Sequence, residues 1–226
     1  MPPRQTTSSL PKNWPKDILY LDKLHIPPPL SPELLLSSVT RATFRPSDSL
    51  PVIPDSALTS PSPLVQIKSI ADPSHPAYRQ HGLFAARPLA PSSFVILYLG
   101  TLHTSSSESA STSDYDLSLD RELDLAIDAA QCGNEARFIN DYRGIRPEGP
   151  NAEFRDCWVE MPPPTSRGGE ARWERRIGVF VLSTGKANRK DGGKQRARGI
   201  AKGEEIVVSY GKGFWRARQQ EEELGH

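Results

Sequence analysis

Cysteine is scarce in this chain. Its two thiols, Cys132 and Cys157, show no CxxC spacing, which excludes a disulfide scaffold and a cysteine-built zinc site. A charge excess is missing too: 28 Lys and Arg stand against 27 Asp and Glu. The whole-molecule field therefore argues against bulk coating of nucleic acid, and any such contact has to be local. No apolar run approaches the ~20 residues of a membrane-spanning helix, and the Pro- and Ser-containing start lacks the apolar core of a secretory signal. The expectation is an intracellular chain with no membrane contact. Histidine is sparse and scattered: His25, His75, His103 and His226 lie among prolines and serines or at the end, in no ligand spacing, so no metal site is expected.

Proline is plentiful, and it is unevenly placed. Twelve prolines, from Pro2 to Pro61, punctuate the first 62 residues and bar long helices and central strands there. Two short pieces still carry pattern. KDILYLDKLHI offers Ile18, Leu19, Leu21 and Leu24 as apolar anchors, and SPELLLSSV opens like a capped helix with Ser31 at the N-cap and Pro32 at the first position. Residues 1 to 62 are thus expected to form a partly ordered arm packed on a domain spanning 63 to 216, with a charged tail over 217 to 226 read as a frayed helix. At 226 residues the chain has room for one sizeable core plus such an extension. From residue 64 the pattern turns to short Val- and Ile-rich runs, LVQIKSI, FVILYL, RIGVFVLS and EIVVSY, separated by Gly, Pro and Ser turns. That predicts a mostly β fold of several small sheets. Two low-complexity inserts interrupt it: a Ser/Thr-rich stretch over 103 to 113 and a basic one, KANRKDGGKQRAR, over 186 to 198.

Three strings carry the chemical message: GNEARFIND over 133 to 141, PNAEF over 150 to 154 and GEEIVVSYGKGFW over 203 to 215. Together they resemble the C-terminal half of a SET domain, the fold of most protein lysine methyltransferases. That family shows Arg-Phe-x-Asn-His, a gap, Pro-Asn, then Gly-Glu-Glu-(Leu/Ile) and a Tyr. Upstream, HGLFAARPLAPSSFVILYLGTL, DYDLSLD and LAIDAAQCGN are similar to the family's opening segment, its pocket-tyrosine strand and its approach to the asparagine motif. The resemblance covers about residues 64 to 216 and implies a SET-domain fold of several small sheets with a pseudoknot, in which two sequence-distant segments cross.

The resemblance also implies a reaction: transfer of a methyl group from S-adenosylmethionine to a protein lysine. In such an in-line displacement a neutral amine attacks a methyl on a sulfonium, so the protein has to align two ligands and strip water from the nitrogen. A free lysine titrates near roughly 10.4, so an apolar channel and a neighbouring positive charge are needed to favour its neutral form. A ring of carbonyl and hydroxyl oxygens holds the methyl through weak CH···O contacts.

On this pattern Tyr210 matches the tyrosine whose hydroxyl faces the transferring methyl, and Tyr115 the second pocket tyrosine; Tyr98 ends a strand and is read as structural. For the cofactor, Asn140 matches the asparagine that holds the methionine part, with Arg137 and Phe138 leading into it. Asp141 stands where the family has His, and it is expected to keep the backbone contacts while losing the imidazole's hydrogen bonds. The gap from Asn140 to Pro150 is long, and Tyr142 or Arg143 within it are possible added contacts or mere surface. The family's Gly-x-Gly is here His81, Gly82, Leu83, with the second glycine alone present. These three are kept as binding candidates, with His81 read as a packing or turn residue rather than a base. Phe214 and Trp215 either close the lysine channel or pack a C-terminal helix. Val208 stands where relatives place a larger ring, which leaves room for a product beyond monomethyl-lysine. The basic insert over 186 to 198 is a solvated loop or a weak contact to nucleosomal DNA. The implied activity is a lysine methyltransferase acting on a histone or another nuclear or cytosolic protein, nuclear being preferred. The alternative is a SET-like binding module that has lost catalysis, motivated by Asp141 and the missing glycine.

Overall fold

The computed structural model describes residues 10–35, 50–105, 113–161, 172–183 and 199–211. Phe214, Trp215, the 186 to 198 insert and the charged tail lie outside them. Within the described residues the chain is mostly β, with only short 3-10 turns between strands.

The sheet scaffold is a hairpin of two ten-residue strands, β11 (Ala152–Met161) and β12 (Arg172–Val181), paired antiparallel along their whole length. On one edge β11 takes the two-residue strand β2 (Val52–Ile53) in parallel; on the other β12 takes β5 (Phe94–Leu97) antiparallel. Residues 176 to 181 of β12 are buried without alternation, as expected of a strand covered on both faces. The arm's prolines keep β2 at the sheet edge, where a missing donor does no harm.

Three smaller sheets wrap this scaffold. β3 (Val65–Ser69) pairs antiparallel with β4 (His81–Ala85), and its alternation turns Val65 and Ile67 inward while Gln66 and Lys68 face out. β6 (Thr101–His103), β8 (Leu125–Asp128) and β7 (Asp116–Asp120) form a three-stranded antiparallel sheet with β8 central. β1 (Leu19–Tyr20) pairs parallel with β9 (Cys132–Gly133), which ties the Pro-rich arm to the main body. The expected capped helix is instead a 3-10 turn over Pro32–Leu35, and Ser31 Oγ accepts from the Glu33 amide at 3.3 Å. One core joins the small sheets through Leu83, Leu102, Ile127, Val179 and Ile206; a second beneath the hairpin gathers Leu21, Ile53, Leu97, Cys157 and Val159.

The feature that makes a site is a crossing. β10 (Asn140–Asp141) pairs in parallel with β13 (Val207–Val208), although nearly seventy residues separate them, and Tyr142 N–H continues the ladder to Val208 O at 2.9 Å. Just before it, residues 203 to 206 run along β4: Ala85 N–H donates to Glu204 O at 2.9 Å and Ile206 N–H to Leu83 O at 2.8 Å. Asn151 clasps the segment from the far side. Its amide donates to Glu205 O at 2.7 Å, its Oδ1 accepts from Val207 N–H at 2.9 Å, and its own N–H reaches Val207 O at 3.1 Å. A buried side-chain amide thus supplies the partners that a neighbouring strand would. This arrangement of small sheets around two crossing segments is a SET-like β fold.

Candidate functional site

Asn140 and Tyr210 come together at this crossing. Both line a cavity of about 640 Å³, within the roughly 300–1,000 Å³ usual for small-ligand pockets. A smaller cavity of about 260 Å³ adjoins it, and Asp114, Tyr115, Arg137 and Tyr210 line both. The larger is walled in addition by His81, Phe138 and Asp141; the smaller by Tyr98, Leu117, Ile139 and Phe154. The two spaces therefore meet along a row that includes both candidate pocket tyrosines.

The motif places its side chains through a 3-10 turn, Glu135–Phe138, whose four residues are all buried. Arg137 is spent on holding the chain: Nε donates to Ala129 O at 2.9 Å and Nη2 to Ala130 O at 3.1 Å. Its guanidinium also lies 4.4 Å over the Tyr115 ring, which fixes that ring at the junction. Glu135, at the start of the turn, accepts from Ser62 N–H at 2.9 Å and from the Tyr20 hydroxyl at 3.2 Å, so two points of the arm hold it. Burial pushes the Glu135 carboxyl above the usual carboxylate range, against the hydrogen bonds that favour its charge.

Asn140 has both amide hydrogens engaged. Nδ2 donates to Glu205 Oε1 at 2.8 Å and to His81 O at 3.3 Å, so the amide's remaining polar atom is the carbonyl oxygen, an acceptor. Glu205 is in turn held by His75, whose Nε2 lies 3.0 Å from Oε2. The Ala77 amide donates to His75 Nδ1 at 3.0 Å, which fixes the neutral ring as the Nε2–H tautomer and makes Nε2 the donor. Neither His75 nor Glu205 was marked by the motif spacing as a partner of Asn140. They lie 130 residues apart, and only the β3 to β4 loop brings them together.

Gly82 explains itself here. A Cβ at this position would sit 2.6 Å from Glu205 Oε1 and 3.0 Å from the Phe84 ring, so a side chain would expel the carboxylate that orients Asn140. Gly82 serves the cavity from behind and is not on its wall. Leu83 and Val208 also lie away from both cavities: each is fully buried in the core, Val208 together with its neighbour Val207. Of the long gap after Asn140, Arg143 and Ile145 reach the wall, whereas Tyr142 does not and instead stacks beneath Arg143 at 4.9 Å.

Asp141 takes over a structural task. Its carboxylate accepts from Tyr210 N–H at 2.8 Å, from Arg143 N–H at 2.9 Å and from Arg143 Nη1 at 2.8 Å. The departure from His thus leaves the Tyr210 backbone anchored. Tyr210's hydroxyl donates to Ile139 O at 2.6 Å, and Tyr98's to Tyr115 O at 2.6 Å. Burial first, and then the neighbouring Tyr210, drive the Tyr98 hydroxyl well above its ordinary pKa, so it stays neutral. His103, also unpartnered in the sequence reading, pairs with Asp116 at 2.9 Å beside the smaller cavity. Among the described residues no group of three metal-ligating side chains converges.

No protein-family model matches this chain, and no curated protein matches it. Solved structures similar to it include a chain of the polycomb repressive complex 2 of Chaetomium thermophilum, at 21% identity and a TM-score of 0.44, covering 68% of this chain and 16% of that one. Another shows this complex in an autoinhibited conformation bound to S-adenosylmethionine, at 20% identity and a TM-score of 0.44, with 71% of this chain and 17% of that one covered. A third is an active polycomb repressive complex 2 in the stimulated state, at 23% identity and a TM-score of 0.38, with 58% and 14% covered. This chain spans less than a fifth of the length of each.

Proposed function

We propose that this chain is a protein lysine methyltransferase that uses S-adenosylmethionine, acting on a histone or another nuclear or cytosolic protein. The observation that carries the proposal is the meeting of two cavities at Tyr115 and Tyr210, with Asn140 on the larger. The larger suits the cofactor: its volume is adequate, and Asn140 offers the acceptor that the cofactor's ammonium requires. When bound there, S-adenosylmethionine supplies a methyl group activated by its sulfonium.

The residues of the smaller cavity are suited to the lysine. Tyr98, Tyr115, Phe154, Leu117 and Ile139 supply the apolar half of that cavity's wall, which favours the neutral amine. Asp114 on the same wall adds negative charge that draws in a cationic side chain before it loses its proton, whereas Asp116 is already paired with His103. Tyr210 donates its hydroxyl proton to the Ile139 carbonyl, and in this reading its oxygen faces the amine and the methyl hydrogens at the junction. The reading of an inactive SET-like module draws on Asp141 and the lone Gly82. Against it, Asp141 holds Tyr210 by a direct hydrogen bond. In the same proposal the basic insert over 186 to 198 serves as a weak contact to nucleosomal DNA.

The test is incubation of the full chain with labelled S-adenosylmethionine and core histones or a cytosolic extract, with the modified residue identified by mass spectrometry. Methyl-lysine that disappears with Tyr210→Phe, in a variant that still binds the cofactor, supports the proposal. Cofactor binding with no methyl transfer to any protein lysine refutes it in favour of the inactive module.

A further inference from the structure

The N-terminal arm enters the larger cavity. Pro15, Asp17 and Ile18 stand on its wall beside residues of the motif region, although none of them belongs to the segments that define the resemblance. Contacts hold this stretch at both ends. On one side Asn13, at φ 66°, donates its side-chain amide to Ile67 O at 2.8 Å, which docks the arm on β3. On the other, Leu19 N–H donates to Gln131 O at 3.1 Å and Leu21 N–H to Gly133 O at 2.7 Å, which docks it on β9. Between them Trp14 folds the segment over itself, its Nε1–H donating to Ile18 O at 2.7 Å. The Trp14 ring meets Phe138 edge-on at 5.5 Å and Tyr20 at 4.9 Å, so the arm touches the motif that carries Asn140.

Resting on the cofactor reading above, we propose that residues 15 to 18 of the arm are a wall of the S-adenosylmethionine site. Pro15 and Ile18 cover apolar surface of the ligand, and Asp17 places a carboxylate beside a ligand that carries positive charge on sulfur and nitrogen. The arm is therefore part of the binding machinery, and an intact arm is a condition of affinity.

Trypsin reads this directly, because Lys16 lies within the wall segment, Lys12 just before it, and both are exposed. The full chain is digested briefly with and without S-adenosylmethionine, with calorimetry of the same sample in parallel and cleavage after exposed Lys202, off the cavity wall, as reference. The inference expects cleavage after Lys16 to slow at least tenfold relative to Lys202, half-maximally at the calorimetric Kd. A double substitution, Asp17→Ala with Ile18→Ala, is expected to weaken binding five- to twentyfold while the melting temperature without ligand stays unchanged. Binding heat with unaltered cleavage after Lys16 and an unaltered Kd in the double variant overturns the inference alone. Absence of any binding heat in the unsubstituted chain overturns the cofactor reading itself and the inference with it.

Discussion

Replacing Asp141 by alanine removes the acceptor of the Tyr210 amide, the Arg143 amide and the Arg143 guanidinium at once, and the loss follows from their geometry. The Tyr210 and Arg143 backbone amides donate to its carboxylate at 2.8 and 2.9 Å, and Arg143 Nη1 donates to both of its oxygens at 2.9 and 2.8 Å. Hydrogen bonds to a charged acceptor contribute about 1.5–3 kcal/mol each, but Arg143 N–H can recover a water once the acceptor is gone, so about 2 kcal/mol for Tyr210 and ~1 for Arg143 is reasonable. The guanidinium pair adds little, because the Arg143 side chain is 37% exposed and solvent screens it. The sum is about 3 kcal/mol, which for a chain of this size lowers Tm by roughly 6–12 °C. Asp141→Asn keeps an acceptor for Tyr210 and is expected to cost about 1 kcal/mol. Asp141→His restores the residue of the resembled family, yet an imidazole accepts at one nitrogen only. It is therefore expected to fall between the other two, at about 2 kcal/mol. Differential scanning calorimetry of the three variants tests the order Ala, His, Asn. An alanine variant melting within a degree of the unsubstituted chain, or a histidine variant more stable than it, refutes the assigned role.

Three further predictions concern the surroundings of the site. Gly82→Ala places a methyl 2.6 Å from Glu205 Oε1, and the displaced carboxylate releases Asn140; S-adenosylmethionine affinity should fall roughly tenfold by calorimetry, and an unchanged Kd would count against the Glu205 link. Burial holds the Glu135 carboxyl above its ordinary pKa. A raised folded value means its stabilising contribution is full below the unfolded pKa and is lost as pH rises through the folded one, so the Tm gain of Glu135→Gln over the unsubstituted chain should grow from pH 4 to pH 8. A constant difference across that range contradicts the assignment. Burial also pushes the Cys157 thiol up to about 12, so at pH 8 only ~10⁻⁴ of it is thiolate; iodoacetamide should leave it unlabelled in the native chain and label it on denaturation, and equal native labelling would disprove its enclosure.

Much of this was legible in the sequence because its signals are local. The alternation in LVQIKSI gives β3, the Val/Ile run RIGVFVLS gives the buried end of β12, and Arg137, Phe138, Asn140 and Tyr210 stand in motifs whose order alone suggested that they meet. What stayed hidden is set by tertiary contact. His75 looks like a loop histidine until the chain folds it onto Glu205, and Glu135 looks like a surface acid until Tyr20 and Ser62 enclose it. Val208 and Leu83 stand only two residues from Tyr210 and His81, which line the cavity, yet both are fully buried in the core, so nearness in sequence did not put them on the wall. In the arm, two-residue strands carry no periodicity to read, so its attachment through β1 and its place on the cavity wall emerge only in three dimensions.

The central claim is that the cavity beneath Asn140 receives S-adenosylmethionine. Titration of that ligand into the full chain by isothermal calorimetry, alongside the Asn140→Ala variant, tests it most directly. Saturable binding at one site, weakened about thirtyfold or more by the substitution, is the expected result, since removing the acceptor for a charged ammonium costs about 2 kcal/mol. No binding heat, or the same Kd in both proteins, would contradict it.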